Sequence, residues 1–149
     1  MSAVSDSGVD PADTVRFDVY GFRFRVRSDS AQATEGIASD FAHFHDDGDA
    51  DDGLLIDIVQ QDPDYDCLPD SEATVYTPRN VSYRDGDRVY LDFHGRGLGI
   101  HDSATGHYRI ISRDPHLLYE AAYLLLIAQA AEYLDDRRAR GKMAYRVRA

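Results

Sequence analysis

The stretch Val15-Arg16-Phe17-Asp18-Val19 alternates apolar and polar side chains, and so does Phe22-Arg23-Phe24-Arg25-Val26-Arg27. A period of two marks a strand with one face on a core. The apolar parity shifts by one across Tyr20-Gly21, so a tight turn or a glycine bulge there returns both apolar sets to the same face. An opening hairpin is expected. Asp29 then stands as a helix cap, with Gln32 three residues on completing a capping-box pattern. Ala33, Ile37, Phe41 and Phe44 recur at helical spacing behind it. Residues 45–53, nearly all Asp and Gly, read as a loop, residues 54–59 as a short strand, and residues 60–71 as a loop with two prolines.

From 72 to 112 the chain reads as a run of antiparallel strands. Asp85-Gly86-Asp87 between alternating segments is a strong hairpin signal. A second hairpin pairs residues 98–101 with 107–111. No helix interrupts these strands, which predicts a meander.

Asp114 and Pro115 then supply an N-cap and a first-turn proline. The pattern predicts a helix to about Arg140, with Gly141 as its stop. Between residues 117 and 131 the strongly polar positions are Glu120 and Gln129. Leu117, Ala121, Leu124 and Ala128 face one way, while Leu118, Ala122 and Leu126 cover another flank. A helix apolar on two flanks must be covered twice. The first stripe is assigned to the sheet. The second flank needs the first helix, another domain or a second copy to cover it. Leu118, Ala122 and Leu126 are assigned to an interface with another domain or a second copy, a symmetric homodimer being the simplest closure. The expected fold class is α+β, an antiparallel sheet of five or more strands with two helices, the long C-terminal one packed on the sheet.

A length of 149 residues suits one domain, expected over 14–141. Residues 1–13 read as a flexible leader and 142–149 as a basic tail. The polar N-terminus has no signal-peptide pattern, the apolar run at 121–131 is too short to span a bilayer, and Cys67 has no disulfide partner. A cytoplasmic protein with no membrane contact is expected. Net charge is −11, and residues 29–72 hold 14 Asp and Glu with neither Lys nor Arg. Such a body repels nucleic acid, and the bases from Arg137 to Arg148 read as a solvated helix end.

The sites that invite chemistry fail on spacing. Asp47, Asp49 and Asp51 alternate as in a calcium loop, but Asp52 stands at the sixth position and Ile58 at the twelfth, where Gly and Glu are required. The acidic loop is therefore expected to be mobile and metal-free. His43 and His45 are two residues apart, an awkward spacing for shared ligation on a helix. His94, His101, His107 and His116 are scattered without a nucleophile motif. Gly95-Arg96-Gly97-Leu98-Gly99 precedes a strand instead of a helix, so it forms no phosphate cradle, and the chain holds no P-loop. No catalytic, cofactor-binding or metal-ligating residue is assigned, and no cofactor is expected.

Three stretches carry a resemblance. They are Tyr76-Thr77-Pro78-Arg79-Asn80, then Val81-Ser82-Tyr83-Arg84-Asp85-Gly86 with its partner strand, and Gly95-Arg96-Gly97-Leu98-Gly99-Ile100 leading to the helix that opens Asp114-Pro115-His116-Leu117-Leu118. Together the chain resembles the N-terminal domain of bacterial HPr-kinase-like ATP-binding proteins, over about residues 15–141. The resemblance implies a non-catalytic accessory or regulatory domain of a protein serine kinase module, serving positioning, recognition of the substrate protein or dimerisation. It also implies that Met143-Ala144-Tyr145-Arg146-Val147-Arg148 opens a kinase domain as its first strand. The alternative is a stand-alone acidic domain that binds a basic protein partner.

Overall fold

A computed structural model describes the backbone of residues 14–148 and the side chains of residues 14–141. The leader expected over residues 1–13 lies outside the described residues. The element order is β1 (Val15–Val19), β2 (Phe22–Ser28), α1 (Ala31–Asp40), β3 (His45–Asp46), β4 (Leu54–Gln60), β5 (Val75–Tyr76), β6 (Val81–Asp85), β7 (Arg88–Asp92), β8 (Leu98–Asp102), β9 (His107–Ser112) and α2 (Pro115–Arg148). Nine strands form one sheet in the order β3-β1-β2-β4-β9-β8-β7-β6-β5. The fold class is α+β with a mostly antiparallel sheet and the long C-terminal helix packed on it.

Local chemistry explains the hairpins. Val19 pairs with Phe22, so Tyr20-Gly21 is a two-residue loop, and both residues take positive φ, 53° and 100°. That turn suits the strand twist and sets Phe17, Val19, Phe22, Phe24 and Val26 together in the core. The expected meander runs through β6, β7, β8 and β9, each pair antiparallel.

The fold class is the expected one, and within the mostly antiparallel sheet two pairings are parallel. β4 pairs in parallel with β2 on one side and with β9 on the other. Parallel neighbours need a crossover, and α1 supplies it between β2 and β4. Strands with parallel neighbours tend to read as near-continuous apolar runs, which matches Leu54-Leu55-Ile56-Asp57-Ile58-Val59. The cap of α1 also lies one residue later than expected. Ser30 Oγ accepts from the Ala33 amide, while the Asp29 carboxylate accepts from the Gln60 amide at 2.7 Å and ties the helix start to β4.

α1 and α2 lie side by side on one face of the sheet, α2 over β2, β4 and β9. Gly36 permits their close approach, since a Cβ there would stand 2.5 Å from the Tyr119 ring. The Tyr119 hydroxyl donates to the Asp40 carboxylate across the same contact.

α2 does not stop at Gly141. It continues through Arg148, so the strand expected over Met143–Arg148 is helix. A lone glycine costs a helix interior only about 1 kcal/mol, Asp136 and Arg140 pair one turn apart at 2.9 Å just before it, and no proline comes after it. Within Pro115–Gly141 the helix carries an 18-residue window with a mean hydropathy of 1.2, long and apolar enough to cross a bilayer by length and composition. Part of that surface, 28% of the window, is buried: Leu118, Ala122, Leu126 and Ala130 belong to the core cluster with α1 and the sheet, while Leu124 and Ile127 are exposed.

Coverage of the sheet is diagonal. The helices cover the β1–β9 half of one face. On the opposite, helix-free face, register aligns Val59, Ile111, Leu98 and Val81 in one row, and all four are buried. The connection of residues 61–74 passes over this half, where burial raises the Tyr65 hydroxyl pKa, with Asp92 of β7 adding to the shift. Two quarters are left open: the helix-side face of β6–β8, and the helix-free face of β1, β2, β4 and β9.

Candidate functional site

The three residues assigned to an interface are core. Leu118, Ala122 and Leu126 are each 0% exposed, enclosed by α1 and the sheet of the same chain. The stripe assigned to the sheet, Leu117, Ala121, Leu124 and Ala128, forms the border of the covered area, and Leu124 is 39% exposed. The two stripes exchange roles because α1 packs beside α2 and covers the flank assigned to an interface, for which the first helix is the other candidate.

A groove runs along the exposed border. α2 forms one wall through Leu117, Glu120, Ala121, Leu124 and Leu125, and Leu91 and Phe93 of the β7 region form another side. The turn Pro78-Arg79-Asn80 closes the far wall, with His94 and Arg96 at one end, around a volume of about 530 Å³. That is the size range of a small-ligand cleft or of a few anchoring side chains. Apolar surface continues past it along α2 to Ile127, which is 44% exposed.

The glycine run that looked like a phosphate loop builds this groove. Gly95 takes φ 80° in the β7–β8 turn, with its amide donating to the Asp92 carboxylate at 2.9 Å. Gly97 seats the start of α2: a Cβ there would lie 2.8 Å from Leu117 Cδ2. Gly99 lies opposite Leu91 in register and keeps the floor low, since its Cβ would touch Leu91 and Phe93 at 3.4 Å. The charged rim is loosely paired, Arg79 with Glu120 at 3.5 Å and Arg96 with Asp114 at 3.2 Å. Gln129, a polar position in the apolar run, donates to the Tyr108 hydroxyl at 3.4 Å. Burial pushes the Tyr108 pKa up to about 12, with Glu132 adding to the shift, so that tyrosine stays protonated.

The second open quarter is polar. Register sets Arg27, Asp57 and Arg109 side by side across β2, β4 and β9. Asp57 is 3% exposed. Its Oδ1 accepts from Arg27 Nε at 2.6 Å, and its Oδ2 accepts from Arg27 Nη2 at 2.7 Å. His107 Nε2 lies 2.5 Å from the same Oδ2. Burial pushes the Asp57 pKa up, but the hydrogen bonds from His107 and Arg27 outweigh it and hold the pKa at about 2. Sequence reading missed this cluster. The available signal was a lone charge at Asp57 inside an apolar strand, which demands a buried partner. A His–Asp pair can serve a nucleophile, but no hydroxyl or thiol among the described residues hydrogen-bonds to His107.

The acidic loop is anchored. Asp51 pairs with Arg16 at 2.9 Å and Asp52 with Arg23 at 3.2 Å. Arg16 Nε also donates to the Ala50 carbonyl at 3.0 Å. These contacts come from arginines of β1 and β2, distant in sequence, and the loop makes them through exposed carboxylates. His45 sits in edge strand β3 and contacts Asp47 at 3.1 Å, while His43 lies exposed in the preceding turn. Among the described residues, no three His, Cys, Asp or Glu side chains converge in a way that could hold a metal ion.

No family model, curated protein or solved structure matches the chain.

Proposed function

We propose that this domain is a non-catalytic accessory module that docks a protein partner in the groove between α2 and the β6–β8 half of the sheet. One observation carries the reading. The groove has an apolar base of Leu91, Phe93, Leu117, Ala121 and Leu125 inside a charged rim, and the apolar surface runs on to Leu124 and Ile127, each more than a third exposed. Burying the remainder of each side chain would contribute roughly 1 kcal/mol. A stripe at i, i+4, i+7 and i+11 beside a sheet floor suits the helix-in-groove mode of recognition.

The resemblance to HPr-kinase-like N-terminal domains supplies the context, in which the partner is a kinase module or its protein substrate. In the isolated chain the occupant is a second copy, pairing α2 with α2 about a twofold axis. A single-cysteine chain that needs no disulfide suits a cytoplasmic setting. The alternative, a stand-alone domain whose acidic face engages a basic partner, draws on the exposed carboxylates Asp47, Asp49, Asp62, Asp64 and Asp66.

Cross-linking tests the docking face. With Cys67 replaced by Ser, a Leu124→Cys variant should form disulfide-linked dimers on mild oxidation, and a Tyr76→Cys variant, also exposed but on the sheet edge, should not. Equal yields from the two positions would remove the groove from the reading.

A further inference from the structure

We propose that the helix-free face carries an oxyanion-binding site at Arg25 and Arg109, suited to the phosphate or carboxylate group of a small ligand. It is independent of the groove and lies on the opposite face of the sheet.

The charge of the cluster is unbalanced. Asp57 is the carboxylate that register places beside Arg109, yet both of its oxygens are taken, by Arg27 on one side and by His107 on the other. Arg109 makes no hydrogen bond or ion pair among the described residues, and its Nε is withdrawn from water without an acceptor. Arg25 on β2 is in a similar position. Its Nε is also buried and unpartnered. Its nearest carboxylate, Asp51, stands 3.8 Å away and is already bound at 2.9 Å by Arg16. Asp102, which register sets across from His107, accepts from the Ala104 amide at 3.0 Å and faces Arg88 at 3.8 Å.

Of the three arginines, Arg27 alone binds the buried acid, and Arg25 and Arg109 are left without a close carboxylate, in a chain whose net charge is −11. Buried donors without partners are rare in native folds and call for a specific cause. β4 separates β2 from β9 by about 10 Å, and register sets Arg25 opposite His107, two residues from Arg109, a diagonal short enough for one oxyanion to bridge two extended arginine side chains. Their planar donor forks match the oxygens of carboxylate and phosphate. Leu55 lies between the two strands in register with Arg25 and His107 and gives the site an apolar floor, which strengthens a charge-assisted bond by excluding water.

The test is a titration of the purified protein followed by amide NMR, with sodium phosphate and sodium acetate in separate series against sodium chloride at matched ionic strength. Saturable shifts confined to β2, β4 and β9 are expected in at least one of the first two series, and which one responds distinguishes phosphate from carboxylate. Arg109→Ala should weaken that binding about tenfold, the loss of one charge-assisted contact. Arg25→Ala should act alike and serves if the first variant fails to fold, while Arg138→Ala on exposed α2 should bind as the unmodified protein does. Shifts that merely track ionic strength in all three salts would overturn the site, as would unchanged affinity in the folded Arg109 or Arg25 variant.

Discussion

Truncating Leu126 to alanine in α2 separates the core stripe from the docking stripe more sharply than any other single change. Leu126 is 0% exposed, within a cluster that includes Phe24, Ile56, Ile58 and Ile110. Removing a buried leucine side chain costs the lost transfer energy plus that of the cavity left behind, about 2–5 kcal/mol in well-packed sites. Here the neighbours are strands fixed in a nine-stranded sheet, which relax little, so about 3 kcal/mol is expected. For a domain of this size that lowers the thermal midpoint by about 10 °C. Leu124, two residues away, is 39% exposed and borders a groove that is already open. Leu124→Ala should therefore cost at most about 1 kcal/mol. Urea unfolding of the two variants at equal protein concentration reads both values, and the slope with denaturant should match that of the unmodified protein. Equal losses, or a larger loss at Leu124, would refute the assignment of stripes and return the interface to Leu118, Ala122 and Leu126.

Acid should weaken the fold through Asp57. Its pKa is depressed to about 2, so its contribution is fully present above the unfolded value near 4 and is lost as pH falls from about 4 to 2. The amount is about 2 kcal/mol, and Asp57→Asn should flatten the stability profile across that window. If the two profiles stay parallel there, the cluster does not hold the carboxylate down. Gly53→Ala should destabilise strongly. Gly53 takes φ 84°, and a Cβ there would lie 2.3 Å from the Arg23 carbonyl oxygen, a backbone atom that cannot swing aside. A loss above about 2 kcal/mol is expected in denaturant titrations, and a neutral substitution would contradict the loop path.

Hairpins, the meander and the start of α2 were legible in the sequence because each is encoded locally. Tyr20-Gly21, Asp85-Gly86 and Asp114-Pro115 carry their conformations with them. The parallel pairing of β4 was half legible, in the unbroken run from Leu54 to Val59, but an unbroken run does not name its neighbours. The stripes of α2 could not be ordered from composition. Leu117, Ala121 and Leu124 are chemically equivalent to Leu118, Ala122 and Leu126, and the choice between them depends on Gly36 letting α1 dock on Tyr119. Gly141 misled because glycine ends a helix only where it takes the left-handed conformation itself, and no proline follows to force the stop. The arginine anchors of the acidic loop, Arg16 and Arg23, lie about thirty residues away from Asp51 and Asp52, and a charge count over residues 29–72 leaves them out. The groove was invisible because its walls, Leu91 and Phe93 on one side and Leu117, Ala121 and Leu124 on the other, meet only in the fold.

Sedimentation over a concentration series decides whether the α2 groove is an interface. The unmodified protein should pass from monomer to dimer by high micromolar concentration. The Leu124→Glu, Ile127→Glu double variant should remain a folded monomer throughout, because both positions lie outside the core. An unmodified protein that stays monomeric across the range, or a double variant that dimerises as before, would contradict the docking role of the groove.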